Sequence, residues 1–197
     1  MRKVFIDCGA WEGISSKYFR ETFPNAEEYE IYAFECNSRL IPKIKELSYV
    51  NVIEKAVWTY DGKIDLFLGS GEFTESSSVI KTKTTGNLDK NNPDHVDCLD
   101  FSKWIRDNFK KEDYIICKMN IEGGEYDVLN KMIEDGTIHY MNVMFIDWHW
   151  KKIKMDKNKH DKLLKTVQEF VELDKWALEH DEHSNVLQNR KFNVKIT

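Results

Sequence analysis

Several features of other protein classes are missing from this chain of 197 residues. Its apolar runs have the length of a strand, and one of the longest, at 143–146, is far shorter than the roughly 20 residues that a membrane helix needs. The N-terminus passes from Arg2-Lys3 into a short apolar run that ends at Asp7, which excludes the apolar core of a signal peptide. The sequence therefore predicts neither a membrane span nor a secretory leader.

Positive charge is not in excess either. The chain has 29 Lys and Arg against 34 Asp and Glu, a net charge of −5. Proteins that bind nucleic acid or anionic lipid broadly carry a basic surface, so we expect neither partner here. The 41% of hydrophobic and 32% of charged residues are typical of a globular protein, and the length fits one domain over residues 1–197.

The cysteines show no pattern of a disulfide framework or of a metal site. The four of them form no C-x-x-C pair, and the chain has no N-x-Ser/Thr glycosylation site. We therefore expect buried, reduced thiols in a reducing, cytoplasmic compartment. They are Cys8, Cys36, Cys98 and Cys117.

Short β-rich runs alternate with helix-period segments along most of the chain. The predicted strands are 3–6, 30–34, 51–58, 63–68, 96–99, 114–119 and 142–146, with a hairpin turn at Asp61-Gly62 between the third and fourth. The predicted helices are 14–23, 38–47 (with Ser38 as N-cap), 101–109, 125–134 and 161–178. This order predicts an α/β fold with a mostly parallel central sheet, helices on both faces and a C-terminal antiparallel hairpin near 186–196.

Ligands of such sheets bind beyond the carboxyl ends of the strands. Those ends place the candidate site at four stretches: 7–13, 35–37, 120–124 and 147–150. The polar stretch 69–94 is long for a loop inside a compact domain, which indicates a functional loop or lid on the substrate side.

The first stretch is a glycine-containing turn between a strand and a helix. It lacks the G-x-G-x-x-G of dinucleotide sites, because Gly9 and Gly13 are separated by three residues with bulky Trp11 in the middle. The acidic Asp7 and Glu12 suit a cationic ligand, such as a sulfonium that also carries an ammonium group, better than a pyrophosphate. The alternative is a tight turn without a ligand.

The second stretch places an acid after the second strand. Glu35 follows Gly13 by 22 residues, the spacing at which a carboxylate can accept hydrogen bonds from both ribose hydroxyls. The alternative is a strand-end acid that faces solvent.

The third stretch, K-M-N-I-E-G-G-E at 118–125, completes a pattern. With D-C-G-A-W-E-G at 7–13 and F-E-C-N at 34–37, it resembles the FkbM-type methyltransferases, whose motifs are D-x-G-A-x-x-G, F-E-P and K-I-D-V-E-G-x-E. The resemblance implies a Rossmann-like class I fold, S-adenosylmethionine as cofactor, and methyl transfer to a hydroxyl of a sugar or glycan, such as the deoxy-sugar rhamnose. It also implies cofactor contacts from Asp7, Gly9, Ala10, Trp11, Gly13, Glu35, Cys36, Asn37, Ala56, Ser78 and Asn120.

Two positions depart from the family pattern. Cys36 replaces the Pro that follows the ribose acid, and Asn120 replaces an Asp, so that position carries no negative charge. The chain also begins almost on the first motif, and we therefore expect it to be a domain of a larger, glycan-modifying polypeptide.

A sugar hydroxyl is a poor nucleophile that benefits from a base or a metal. The intrinsic pKa of a histidine side chain suits a base near neutral pH, which makes His149 a candidate. Alternation along the strand places Asp147 on the same face, where it could orient His149 or act as the base itself. Glu122 could join them. The alternative is a pair held in structural hydrogen bonds. Glu122, Asp147 and Asn120 could also hold Mg²⁺ or Mn²⁺ through oxygen atoms.

Other patterns leave further hypotheses open. Trp148 and Trp150 could stack on a sugar ring, or simply belong to the core or its rim. The lysine-rich stretch 151–159 is typical of a solvated loop, with a weaker potential to meet an anionic substrate. The competing functions are a nicotinamide-dependent oxidoreductase and a glycan- or partner-binding module with little or no catalysis, which neutral Asn120 favours.

Overall fold

The structure is a computed structural model that describes residues 1–70 and 76–174. Six strands form one sheet, and every neighbouring pair in it is parallel. From one edge of the sheet to the other they are β3 (Val50–Ile53), β2 (Tyr29–Phe34), β1 (Lys3–Cys8), β7 (Tyr114–Met119), β8 (Val143–Ile146) and β9 (Glu172–Asp174). The α/β fold with a mostly parallel sheet is confirmed.

Helices cover both faces of this sheet because its central strands are apolar on both sides. In β1, Val4 and Ile6 belong to one hydrophobic cluster, while Phe5 belongs to another and stacks on Phe19 with ring centroids 4.0 Å apart. The helices are α1 (Ile14–Thr22), α2 (Ile41–Lys45), α3 (Phe101–Asn108), α4 (Glu125–Glu134) and α5 (Lys157–Phe170), with short 3₁₀ turns at Ala26–Glu28 and Thr137–Tyr140. Helices α3, α4 and α5 pack on the Val4 side, and α1 packs on the Phe5 side.

A second, three-stranded sheet corrects two of the predictions. The single strand expected at 51–58 is two strands, β3 and β4 (Ala56–Trp58), which belong to different sheets because the chain turns at Lys55, whose N–H bonds to the Ile53 carbonyl at 2.9 Å. The expected hairpin is also wrong: β5 (Gly62–Leu66) pairs antiparallel with β6 (Asp94–Asp100), and β6 lies between β5 and β4.

Two helix boundaries differ from the prediction. Ser38 is not an N-cap, since the chain first forms a turn in which the Leu40 N–H bonds to the Asn37 carbonyl at 2.9 Å, and α2 then begins beside Pro42. Helix α5 begins earlier than expected, after Asp156, whose carboxylate caps the N–H groups of Asn158 and Lys159.

The end of α5 is also wrong in the prediction. The helix stops at Phe170 because Val171 is extended, and β9 follows. The expected hairpin near 186–196 lies outside the described residues.

The cysteine prediction is confirmed for the thiol state. All four cysteines are free; Cys36 is half-buried and the other three are buried. Within the described ranges, no helix is both long and apolar enough to cross a membrane.

Candidate functional site at the carboxyl edge of the sheet

The parallel register brings the four predicted stretches together at one edge of the sheet. Cys8, at the end of β1, is level with Phe34 of β2 and Met119 of β7, and Met119 is level with Ile146 of β8. Backbone hydrogen bonds tie the turns to one another: Gly9 N–H to Phe34 O at 3.1 Å, Asn120 N–H to Cys8 O at 3.0 Å, and Asp147 N–H to Met119 O at 3.0 Å.

The glycine-containing turn needs its glycines for space as well as for conformation. Gly9 has φ +75°, and a Cβ there would lie 1.9 Å from the carbonyl oxygen of Asn120. Gly13 has φ +80° and immediately precedes α1, and Trp11 between them takes φ 52°, a region that non-glycine residues rarely adopt. Ala10 is buried and donates its N–H to the Phe34 carbonyl at 2.9 Å. The turn is thus held close to both neighbouring strands.

Asp7 stabilises this turn from inside the protein. Its side chain is fully buried, accepts a hydrogen bond from Ser16 Oγ at 2.8 Å and pairs with Lys118 Nζ at 2.9 Å. Lys118 Nζ also donates to the Gly9 carbonyl at 2.7 Å. The charge that was expected to favour a cationic ligand is therefore neutralised by Lys118, and Glu12 likewise pairs with Lys43.

Glu35 connects the first two stretches. Its carboxylate accepts the backbone N–H groups of Trp11 (2.9 Å), Cys36 (2.9 Å) and Asn37 (2.8 Å). Burial raises the pKa of Glu35, while these three donors act in the opposite direction. A carboxylate offers about four lone-pair positions, so one position remains beyond these three donors.

Two polar side-chain atoms at this end of the edge are buried without a hydrogen-bond partner. They are the indole Nε1 of Trp11 and the amide Oδ1 of Asn120. Buried polar atoms are nearly always paired, and a donor and an acceptor left unpaired in the turns after β1 and β7 fit a polar ligand.

The other end of the edge holds a cluster of charged side chains around His149. Its Nδ1 and its backbone N–H both face Glu125 Oε1, at 3.0 and 2.9 Å, and its Nε2 lies 3.2 Å from Glu122 Oε1 and 3.4 Å from Asp147 Oδ2. The His149 and Glu125 side chains are fully buried, whereas that of Asp147 is 39% exposed. Asp147 is therefore the most accessible carboxylate of the cluster.

The carboxylates determine the protonation of His149. Burial alone would lower its pKa, but the adjacent Glu122 and Glu125 outweigh burial and raise the pKa of His149 to about 9. Burial would raise the pKa of Glu122, but His149 and Lys83 lower it to about 2. At neutral pH, His149 is therefore an imidazolium between carboxylates, and it has no free nitrogen lone pair to accept a proton.

Lys83 belongs to this cluster, and the sequence analysis missed it. Its side chain is fully buried; Nζ lies 2.6 Å from Glu122 Oε2 and donates to the Ser76 carbonyl at 2.5 Å. Ser78, which was predicted to contact the cofactor, donates from Oγ to the Glu122 carbonyl at 2.7 Å. The polar stretch expected to be a substrate-side loop thus packs on the site, at least over the described part that follows residue 75. The stretch K-T-K-T-T gave no signal to distinguish Lys83 from Lys81.

The arrangement does not fit the divalent-metal site that was considered. In the described part of the chain, no group of three or more His, Cys, Asp or Glu side chains is arranged to hold a metal ion. Electrostatics also oppose a cation here, because Lys83, Lys152 (3.7 Å) and His149 already surround Glu122 with positive charge.

The remaining predicted residues pack against, or form hydrogen bonds with, other residues of the protein. Trp150 stacks on His160 with centroids 5.5 Å apart, and Trp148 packs against His160 and Tyr126, so parts of both indoles contact the protein. Asn37 is buried and its Oδ1 accepts the Arg39 N–H at 3.1 Å. Ala56 is buried in β4, level with Cys98 of β6.

Comparison with known proteins identifies a family. The family model described as the methyltransferase FkbM domain matches residues 7–181, which is most of the chain. No curated protein and no solved structure matches.

Proposed function

The chain belongs to the FkbM methyltransferase family, and from this premise we propose that it transfers a methyl group from S-adenosylmethionine to a hydroxyl of a sugar or glycan. The acceptor class and the oxygen target are those that the resemblance implies. The four free thiols further support a reducing, cytoplasmic location.

The observation that carries the proposal is the set of unsatisfied groups beside the glycine-containing turn. Glu35 has an open lone-pair position for a ribose hydroxyl, Trp11 Nε1 offers a buried donor, and Asn120 Oδ1 offers a buried acceptor. These residues would hold the cofactor. When bound, it supplies a methyl group that is already activated by a sulfonium, so the protein's tasks are to position it and to exclude water.

The charged cluster would then act on the acceptor hydroxyl. As the new C–O bond forms and the methyl–sulfur bond breaks, the hydroxyl proton must leave. We assign the proton acceptor to Asp147, because it is the accessible carboxylate and His149 is already protonated. His149 is then a positioning residue that holds Asp147 and Glu122. The exposed parts of Trp148 and Trp150 are candidates for contact with the sugar ring.

Methyl transfer itself provides the test. The full chain is incubated with S-adenosylmethionine carrying a trideuterated methyl group and a panel of sugars and glycans that includes rhamnose, and mass spectrometry detects the labelled product. Asp147→Asn keeps the size and removes the basic carboxylate, and we expect it to slow transfer about 100-fold or more while S-adenosylhomocysteine affinity stays within about twofold.

The matched control is Asp97→Asn, an exposed acid on β6 whose partner is Lys63, which should leave transfer unchanged. Full transfer by Asp147→Asn would reject Asp147 as the proton acceptor. Binding of S-adenosylhomocysteine without transfer to any sugar would favour the glycan-binding module instead.

A further inference from the structure

Two lysine-bearing segments meet over the glycine turn of the site. A Cβ placed on Gly123 would lie 2.5 Å from Ile153 Cγ2 and 3.3 Å from Ile80 Cγ1, so both isoleucines pack on this turn. Thr84 ties the segments together, since its N–H and its Oγ1 both bond to the Lys152 carbonyl, at 2.8 and 3.0 Å. Residues 80–84 and 150–154 therefore form one rim above Glu122.

Among the described residues, this rim carries more positive charge than the acids of the site neutralise. Inside it, Lys83, Lys152 and His149 oppose the three carboxylates of the cluster. Outside it, Lys81, Lys151 and Lys154 are exposed, and no carboxylate of the described residues lies within 4.0 Å of their ammonium groups.

Two of the three exposed ammonium groups lie near aromatic rings rather than near acids. Lys81 Nζ is 5.7 Å from the ring centroid of Phe67, and Lys151 Nζ is 5.4 Å from that of Trp150. Trp150 is one of the two indoles proposed to contact a sugar. The described residues of the two segments thus carry three lysines without a paired acid, in a chain whose net charge is −5.

We propose that the acceptor is an anionic sugar, which carries a carboxylate or phosphate that the rim of Lys81, Lys151 and Lys154 binds. This inference rests on the proposed function for the identity of the site. A neutral sugar gains nothing from the unneutralised lysines, whereas an anion gains charge-assisted hydrogen bonds and is attracted to the entrance.

Binding to matched sugars tests the inference. The full chain is titrated at low ionic strength with glucose, glucuronate and glucose 6-phosphate, and backbone amide shifts are followed by NMR. We expect one of the two anions to bind about tenfold or more tightly than glucose, with shifts at 80–84 and 150–154, and added salt to reduce the preference. The better anion identifies carboxylate or phosphate as the recognised group.

A charge-removing variant and a control complete the design. The triple variant Lys81→Gln, Lys151→Gln, Lys154→Gln should lose the preference, and Lys110→Gln with Lys111→Gln, exposed lysines outside the two segments, should keep it. Equal affinity for anions and glucose, no anion binding, or a preference that survives the triple variant would each overturn the inference. S-adenosylhomocysteine binding, measured separately, tells a failure here from a failure of the proposed function.

Discussion

At the scale of single residues, the site depends on buried charges that neutralise one another. Glu122 takes a left-handed backbone conformation (φ 55°), its carbonyl accepts from Ser78, and its carboxylate faces Lys83 and His149. A buried carboxylate that loses a partner retains its desolvation cost without the compensating attraction. The positive residues of the cluster therefore contribute to stability as well as to the electrostatics of the site.

Replacing Lys83 tests this contribution. Lys83→Met keeps most of the side-chain volume but removes one of the positive charges that offset the burial of the Glu122 carboxylate. We therefore expect the free energy of unfolding to fall by about 3–5 kcal/mol. Lys81→Met, two residues away at an exposed position, should change it by less than about 0.5 kcal/mol. Urea unfolding of both variants measures the difference, and equal stabilities would contradict the buried ion pair.

His149 predicts a dependence of stability on pH. Its pKa rises from 6.5 to about 9 on folding, so the folded state binds the proton more tightly than the unfolded chain. The resulting stabilisation is fully present below pH 6.5 and is lost as the pH rises through 9, an amount of about 3 kcal/mol. Urea unfolding between pH 6 and 10 should show this decline, and His149→Gln should lack it. Parallel curves for the two proteins would show that His149 is not held as an imidazolium.

Sequence reasoning reached some of these residues and not others. Glu122, Asp147 and His149 could be predicted to lie together because each follows a strand of a parallel sheet. The pKa of His149 could not, since it depends on Glu125, which the sequence presents as an ordinary first-turn helix acid. Lys83 is a lysine in a polar stretch, and only the tertiary packing of 76–84 distinguishes it from its exposed neighbours.

At the scale of elements, the turn after β1 requires close contact between two backbones. Gly9→Ala would place a methyl group 1.9 Å from the Asn120 carbonyl oxygen at φ +75°, so the turn must move. We expect a loss of several kcal/mol in stability and of most S-adenosylhomocysteine affinity.

Gly136 provides the matched control for this substitution. It has φ +71°, but a Cβ there meets nothing within 4 Å. Gly136→Ala should therefore cost only about 1 kcal/mol, the strain of the left-handed conformation. Thermal unfolding and calorimetry measure both variants, and similar losses would mean that backbone strain, not the Asn120 contact, dominates at Gly9.

The bounds of helices and strands with a regular spacing of apolar residues were predicted well. The bounds of strands that depend on pairing within a sheet were not. The strand Tyr114–Met119 and the helix Glu125–Glu134 have the predicted bounds. The division of 51–58 between two sheets depends on which partner each half finds: Val50–Ile53 pairs with β2 and Ala56–Trp58 with β6. A local apolar pattern contains no information on that choice.

At the scale of the whole molecule, the sheet order explains why the site lies where it does. The chain builds outward from β1 through β2 to β3, returns to β7 on the other side of β1, and continues outward through β8 to β9. This change of direction between β1 and β7 places the usual ligand position of such sheets at the carboxyl ends of these two strands. The position of the site could thus be predicted from strand order, while its charges needed the structure.

The most direct test of the account is calorimetric titration of the full chain with S-adenosylhomocysteine, with NADH as the control ligand. We predict saturable binding of S-adenosylhomocysteine, no binding of NADH, and an affinity about tenfold or more weaker in Glu35→Gln, because a buried charged acceptor is lost at the ribose position. The exposed Glu27→Gln should bind like the wild type. Absence of S-adenosylhomocysteine binding, or an affinity that Glu35→Gln leaves unchanged, would contradict the assignment of the cofactor to this edge of the sheet.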